Sequence, residues 1–271
     1  MHKVALVTGA SSGIGKETAQ LFARKGYTVY AAARRTDKMQ ELQALGVKLL
    51  AMEIAKEADL VNGVNDILQN EQRIDVLVNN AGYNFYGALE DVPLSEARYL
   101  FDVNIFGLAR LTQLLLPTMR RQRTGKIVNV SSIGGKFGEP HGTWYHATKF
   151  ALEGLSDILR MELKQFGIDV IVIEPGAVVT EMLDAAGKNL LKMSGNGPYG
   201  EFAKKHAKVI DETGTMGSQP IVVAETIFRA AEARRPKTRY ATGRGASSML
   251  LLRRILSDRM LDRLLLGVYG R

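Results

Sequence analysis

Short runs of apolar residues alternate along this chain with longer stretches in which apolar positions recur every three or four residues. The short runs read as strands covered on both sides, because they are uniformly apolar rather than alternating with polar positions. They are Val4–Thr8, Tyr27–Ala33, Val47–Met52, Asp75–Val78, Gly125–Val130, Asp169–Ile173 and Arg239–Thr242. Helical periodicity lies between them over Lys16–Lys25, from Thr36-Asp37 onward, and over Asp59–Gln69, Ser95–Arg121, Thr143–Phe166 and Ile221–Ala233. The alternation predicts an α/β fold: a doubly wound parallel sheet of about seven strands, helices on both faces, in one domain over residues 1–271. Two segments depart from that rhythm. Residues 175–220, punctuated by Gly187, Gly195, Gly197, Gly200, Gly214 and Gly217, read as a binding loop or lid. Residues 243–271 read as a basic extension carrying one amphipathic helix, Ser248–Leu266, with Met249, Leu252, Leu256, Met260 and Leu264 on its apolar stripe.

Composition narrows the function classes. The chain is 46% hydrophobic and 24% charged, an ordinary globular balance. Zero cysteines exclude disulfides and thiol chemistry and suit a reducing cytoplasm. The four histidines lack metal-ligand spacing, so no metal is expected. The N-terminus carries no cleavable signal pattern. The longest uncharged run, Val76–Leu89, is too short and too polar to span a bilayer. The net charge of +8 is carried entirely by Arg234–Arg271, where ten basic residues face only Asp258 and Asp262. No recognition motif accompanies that charge, which argues against nucleic acid. Three readings of the tail stay open: packing on its own domain, packing on a second subunit, or peripheral contact with an anionic membrane surface.

The candidate chemistry begins with Thr8-Gly9-Ala-Ser11-Ser12-Gly13-Ile14-Gly15, directly between the first strand and first helix. Glycines there let the backbone approach a pyrophosphate, which the free N–H groups of the helix start attract. Tyr145 and Lys149 stand four apart on a helix and share a face, so the ammonium is expected to favour the phenolate of Tyr145. With Asn79-Asn80-Ala81-Gly82, Ser132 thirteen residues before Tyr145, and Pro175-Gly176-x-x-x-Thr180, these motifs resemble the short-chain dehydrogenase/reductase family, in its order, from residue 4 to about 180. The resemblance implies a Rossmann-type fold and hydride transfer between a nicotinamide and a carbonyl or alcohol. It implies Tyr145 as acid/base and Lys149 as the residue that tunes it and holds the ribose. Ser132 polarises the carbonyl, with Ser131 its rival, and Asn104 completes a proton relay. It also implies cofactor contacts at Gly9, Ser11, Ser12, Gly13, Ile14, Gly15, Arg34, Arg35, Glu53, Ile54, Asn80, Ala81, Gly82, Pro175, Gly176, Val178 and Thr180.

The second strand ends Ala31-Ala-Ala33-Arg34-Arg35, with alanine where an NAD-selective site has an acid and arginines able to clamp a 2′-phosphate, which favours NADP(H) over NAD(H). Where the family usually has aspartate after the third strand, this chain has Glu53. Tyr83, Phe85, Tyr86, Gly134, Phe137, Trp144, Met182 and Leu183 are expected to wall a substrate pocket for a lipophilic ketone, aldehyde or alcohol, as in the steroid- and retinol-type branch. The family habit of pairing its two long middle helices implies a homodimer or homotetramer. A catalytically silent nucleotide-binding relative is the alternative from another class, and it is disfavoured because Ser132, Tyr145, Lys149 and Asn104 are all kept.

Overall fold

The computed structural model describes residues 2–270; Met1, and Arg271 with its share of the tail charge, lie outside them. In chain order the elements are β1 (Val4–Thr8), α1 (Gly13–Arg24), β2 (Thr28–Ala33), the short α2 (Gln40–Gln43), β3 (Lys48–Ala51), α3 (Glu57–Glu71) and β4 (Val76–Asn79). They continue with α4 (Leu94–Phe101), α5 (Leu108–Gln122), β5 (Gly125–Val130), α6 (Thr143–Leu163), β6 (Ile168–Pro175), α7 (Glu181–Ser194), α8 (Gly200–Met216), α9 (Pro220–Glu232), β7 (Arg239–Thr242), α10 (Ala246–Ile255) and α11 (Asp258–Tyr269).

The seven strands form one sheet in the order β3-β2-β1-β4-β5-β6-β7, every pair parallel. Successive side chains of a strand point to opposite faces, so each buried run feeds two cores. Ala5 and Val7 of β1 pack with Phe22 of α1 and Ile227 of α9, while Val4 and Leu6 pack with Leu60 and Ile67 of α3 and Leu111 and Leu115 of α5. The Rossmann-type architecture is as expected. Strand order reverses between β1 and β4, and there the C-terminal strand ends leave a crevice.

Three expectations need correction. The long helix expected over Ser95–Arg121 is two α-helices, α4 and α5, joined by a π-helical stretch at Asp102–Gly107. The π turn brings the chain against the segment after β3: a Cβ on Gly107 would lie 2.1 Å from the Ile54 carbonyl oxygen. The segment 175–220 is mostly helical, because α7 and α8 bury Ala186, Leu190, Ala203, Ala207 and Ile210 against Tyr86, and packing overrides the glycines. The single tail helix is two, broken at Leu256-Ser257, where the backbone is extended. Its stripe divides accordingly. Leu261 and Leu265 are buried against Phe137, with Met249, Leu256 and Tyr269 packed on them, while Met260 and Leu264 are exposed. Two of the tail arginines are tied in ion pairs as well: Arg239 pairs with Glu153 and Asp157, and Arg253 with Asp258. No helix among the described residues is long and apolar enough to cross a membrane.

Candidate active site

The turn after β1 is built by hydrogen bonds from the adjacent strand. Thr8 Oγ1 accepts from the backbone N–H groups of Asn80 and Ala81, both at 3.0 Å, and donates to the Val78 carbonyl. The Asn80 amide donates to the carbonyls of Thr8 and Gly9 at 2.9 and 3.3 Å, fixing the turn from below. Gly9 stands at φ 66°, and a Cβ on Gly15 would lie 2.3 Å from the Gly9 carbonyl oxygen. Only glycine fits either position, and the first turn of α1 therefore presents its N–H groups to the crevice.

That turn lines one end of a cavity of about 750 Å³. Lining it are Gly9, Ser11, Ser12, Gly13, Ile14, Arg34, Arg35, Glu53, Ile54, Asn80, Ala81, Gly82, Ser132, Tyr145, Lys149, Pro175, Gly176, Val178 and Thr180, which brings the expected cofactor and catalytic residues together with two exceptions. Gly15 does not line it; its part is the close backbone packing beneath the turn. Asn104 does not line it either. Its side chain accepts from the Tyr83 N–H at 2.8 Å and donates to the Tyr83 carbonyl and Thr148 Oγ1, so the amide clamps the segment after β4 at Tyr83 to α6 from the π turn.

At the far end of β2 the Arg34 guanidinium is shared between the Tyr99 hydroxyl and the Glu53 carboxylate, with its side chain largely exposed. Arg35 reaches Ser11 and, with Lys38, pairs with Glu181 at the start of α7. The middle of the cavity holds the titratable groups. Lys149 is buried, donates one hydrogen bond to the Val130 carbonyl at 3.0 Å, and stands 5.8 Å from the Tyr145 ring centroid. Burial lowers its pKa to about 8, against a small opposing pull from Glu153. Tyr145 moves opposite to the expectation: burial raises its pKa to about 12, only partly offset by its hydrogen bond with Ser132. The expected lowering assumed an ammonium on a solvated helix face, whereas desolvation of both groups is the larger effect here. Ser132 Oγ also accepts from the Gly134 N–H at 3.0 Å. Ser131 lines the cavity as well, but its backbone N–H is engaged by Ile173 of the sheet and it makes no contact with Tyr145 that compares with that of Ser132.

Beyond Tyr145 the wall contains Tyr83, Gly134, Phe137, Met182 and Leu183, as expected. Phe85 and Trp144 are not on it. Phe85 sits beside Tyr83, and Trp144 precedes Tyr145 on a different side of α6, since adjacent helical residues are about 100° apart. Tyr86, also expected there, is on the wall, its ring 6.0 Å from that of Tyr145. The sequence reading missed Glu139, His146, Met249 and Tyr269, which also line this end. Glu139 accepts from Tyr86 and from Tyr269, 130 residues away, and no local pattern carries such a contact.

The cradle fits a nicotinamide dinucleotide. Its glycine turn has no room for side chains, and the Lys149 ammonium keeps two N–H groups beyond its bond to Val130. Comparison with known proteins agrees. Residues 3–190 match the family described as short chain dehydrogenase. A 3-ketodihydrosphingosine reductase of Bacteroides thetaiotaomicron is 34% identical over 243 residues, covering 89% of this chain and 88% of that protein. An NADPH-dependent 3-dehydrocapnine reductase of Ornithobacterium rhinotracheale is 32% identical, covering 97% and 95%. Among solved structures, a short-chain dehydrogenase from Streptomyces avermitilis superposes with a TM-score of 0.81 at 33% identity, covering 97% of this chain and 93% of that one. This chain therefore belongs to the short-chain dehydrogenase/reductase family, and it is an oxidoreductase of CH–OH and C=O groups that uses a nicotinamide cofactor.

Proposed function

We propose that the protein interconverts a lipophilic ketone or aldehyde and the corresponding alcohol with NADP(H), Tyr145 serving as the acid/base. The observation that carries this reading is the single cavity joining Arg34 and Arg35 at one end to Ser132, Tyr145 and an aromatic and aliphatic wall at the other. At the first end Ala33 leaves no carboxylate at the close of β2 to repel a 2′-phosphate, and the two guanidiniums can clamp it. The resemblance to an NADPH-dependent reductase supports the same choice. The other end, walled by Tyr86, Phe137, Met182, Leu183 and Met249, suits an apolar chain or ring.

The nicotinamide supplies the hydride in reduction and takes it in oxidation. In reduction the Ser132 and Tyr145 hydroxyls donate hydrogen bonds to the carbonyl oxygen as negative charge develops, and Tyr145 then gives up its proton. Lys149 holds the ribose hydroxyls and places its charge where the tyrosinate forms. The Asn104 side chain acts at one remove, positioning Tyr83 and Thr148 on either side. An exposed apolar stripe on α6 (Phe150, Ile158, Met161), with Phe106 beside it in the chain's π turn, supports a homo-oligomer formed through the middle helices; sedimentation equilibrium showing a monomer at working concentration would exclude it.

The test is a panel of lipophilic carbonyls followed by NADPH absorbance. Tyr145→Phe is expected to lower kcat by about 10²- to 10⁴-fold, the range for a lost general acid. Arg34→Asp is expected to lower the NADPH-over-NADH preference by at least about tenfold, as one charged hydrogen-bonding group is worth. Unchanged turnover in the first variant overturns the mechanism, and an unchanged preference in the second overturns the cofactor choice.

A further inference from the structure

The substrate end of the cavity contains a carboxylate that the proposed reaction does not use. Glu139 lies on the cavity wall, and a fifth of its side-chain surface is open. Tyr86 donates to Oε1 at 2.5 Å and Tyr269 to Oε2. A carboxylate has about four acceptor positions, so two hydroxyls leave it half satisfied. Among the described residues no lysine or arginine pairs with it; the imidazoles near it are His146, whose Nε2 stands 3.7 Å from Oε1, within ion-pair range, and His206, which packs on the Tyr269 ring. The His146 Nε2 also receives the Glu139 backbone N–H at 3.3 Å, while Nδ1 faces the Gly134 carbonyl at 2.8 Å. Burial opposes charge on the His146 ring, but the Glu139 carboxylate beside it outweighs burial and raises its pKa. Burial would raise the Glu139 pKa, but His146 and the two tyrosine hydroxyls outweigh it and bring the carboxyl to about 2. An ionised carboxylate thus faces an otherwise largely apolar chamber, one aromatic ring from Tyr145.

A partly open carboxylate with acceptor positions left free, facing an otherwise largely apolar chamber, favours a cation brought in by the ligand. We propose that Glu139 is an ammonium subsite, and that the substrate is a lipophilic alcohol or ketone bearing a protonated amine close to the reacting carbon. The inference rests on the oxidoreductase reading above and narrows it to amino alcohols and amino ketones. Geometry sets the spacing. Tyr86 links both centres, its ring 6.0 Å from that of Tyr145 and its hydroxyl on Glu139, so the amine belongs at the same end of the substrate as the reacting carbon rather than at a distant chain end. Tyr269, at the end of α11, closes the subsite from above, which gives the tail a place in recognition.

Two measurements test the subsite independently of each other. In the first, octylammonium and 1-octanol are titrated calorimetrically into the NADP⁺-loaded protein. Octylammonium is expected to bind at least tenfold tighter than 1-octanol, and Glu139→Gln to abolish that difference; equal binding of the two probes, or a difference that survives the substitution, overturns the proposal. In the second, a long-chain secondary alcohol with an amine on the adjoining carbon is compared with its N-acetylated form and its amine-free form in NADP⁺ reduction. The ratio of kcat/KM for the free amine over the other two is expected to exceed ten, to fall towards one in Glu139→Gln, and to persist in Tyr269→Phe, which removes a tie to the carboxylate but not its charge. A ratio near one in the unaltered enzyme, or equal losses on all three alcohols in Glu139→Gln, makes Glu139 a structural tie only. Turnover of none of the alcohols counts against the oxidoreductase reading, and the calorimetric comparison still decides the subsite.

Discussion

Lys149 and Tyr145 titrate in an order set by burial, and the order has a kinetic consequence. In the proposed reduction Tyr145 must hold its proton, and with burial raising its pKa to about 12 the free protein keeps the phenol neutral across the working range. Lys149, lowered to about 8 by burial, loses its charge first as pH rises. The kcat/KM of reduction, which reports the free enzyme's groups, is therefore expected to be level below pH 8 and to fall above it. Lys149→Arg, whose guanidinium stays protonated, is expected to remove that alkaline limb even where it lowers the rate. A pH–rate profile that stays level to pH 10 in the unaltered enzyme would rule out this assignment. The four-residue spacing of the pair is legible in the sequence; the direction in which the tyrosine moves is not, because desolvation is a property of everything folded around the ring.

Among the elements, the π turn between α4 and α5 does the most to join fold and site. The periodicity of Ser95–Arg121 marks a helix but not its extra turn, since the apolar stripe continues on both sides of Asp102–Gly107. The added residue in the turn swings Asn104 inward, where its amide meets the backbone of Tyr83 and the hydroxyl of Thr148, one residue before Lys149. Asn104→Ala leaves those buried groups without partners and is expected to cost about 2 kcal/mol, a fall in Tm of roughly 4–8 °C in thermal unfolding. An unaltered Tm would show that the amide is not the tie. The helices α7 and α8 make the complementary point. Gly187 and Gly214 sit inside them, against local propensity, because the pair is held by its shared core with Tyr86 rather than by its own sequence.

Across the whole molecule, the basic tail has two sides. Leu261, Leu265 and Tyr269 face inward to Phe137 and Glu139, so packing on its own domain accounts for part of it. Met260, Leu264 and Val268 recur at four-residue intervals on the exposed side of α11, with Leu251 and Ile255 exposed on α10 and Arg254, Arg259 and Arg263 exposed nearby. Apolar side chains flanked by guanidiniums suit the surface of an anionic bilayer, which would place the lipophilic cavity beside its supply. The double variant Met260→Glu, Leu264→Glu is accordingly expected to lose sedimentation with anionic vesicles at physiological salt. Absence of vesicle binding by the unaltered protein would leave that face to a second subunit or to water.

Local patterns determined the strands, the glycine turn, the Tyr145–Lys149 face and the dinucleotide cradle, and most strand limits fall within two residues of those expected. Such features depend on what neighbouring residues prefer, and that preference is written in spacing and residue type. Tertiary structure alone decided which residues share the chamber: Tyr86 but not Phe85 or Trp144, and Glu139 met by a tyrosine from the far end of the chain. It also decided that burial outweighs the neighbouring ammonium at Tyr145. Contacts between residues distant in sequence and the desolvation of their charges are collective quantities, fixed only when the packed elements exclude water together.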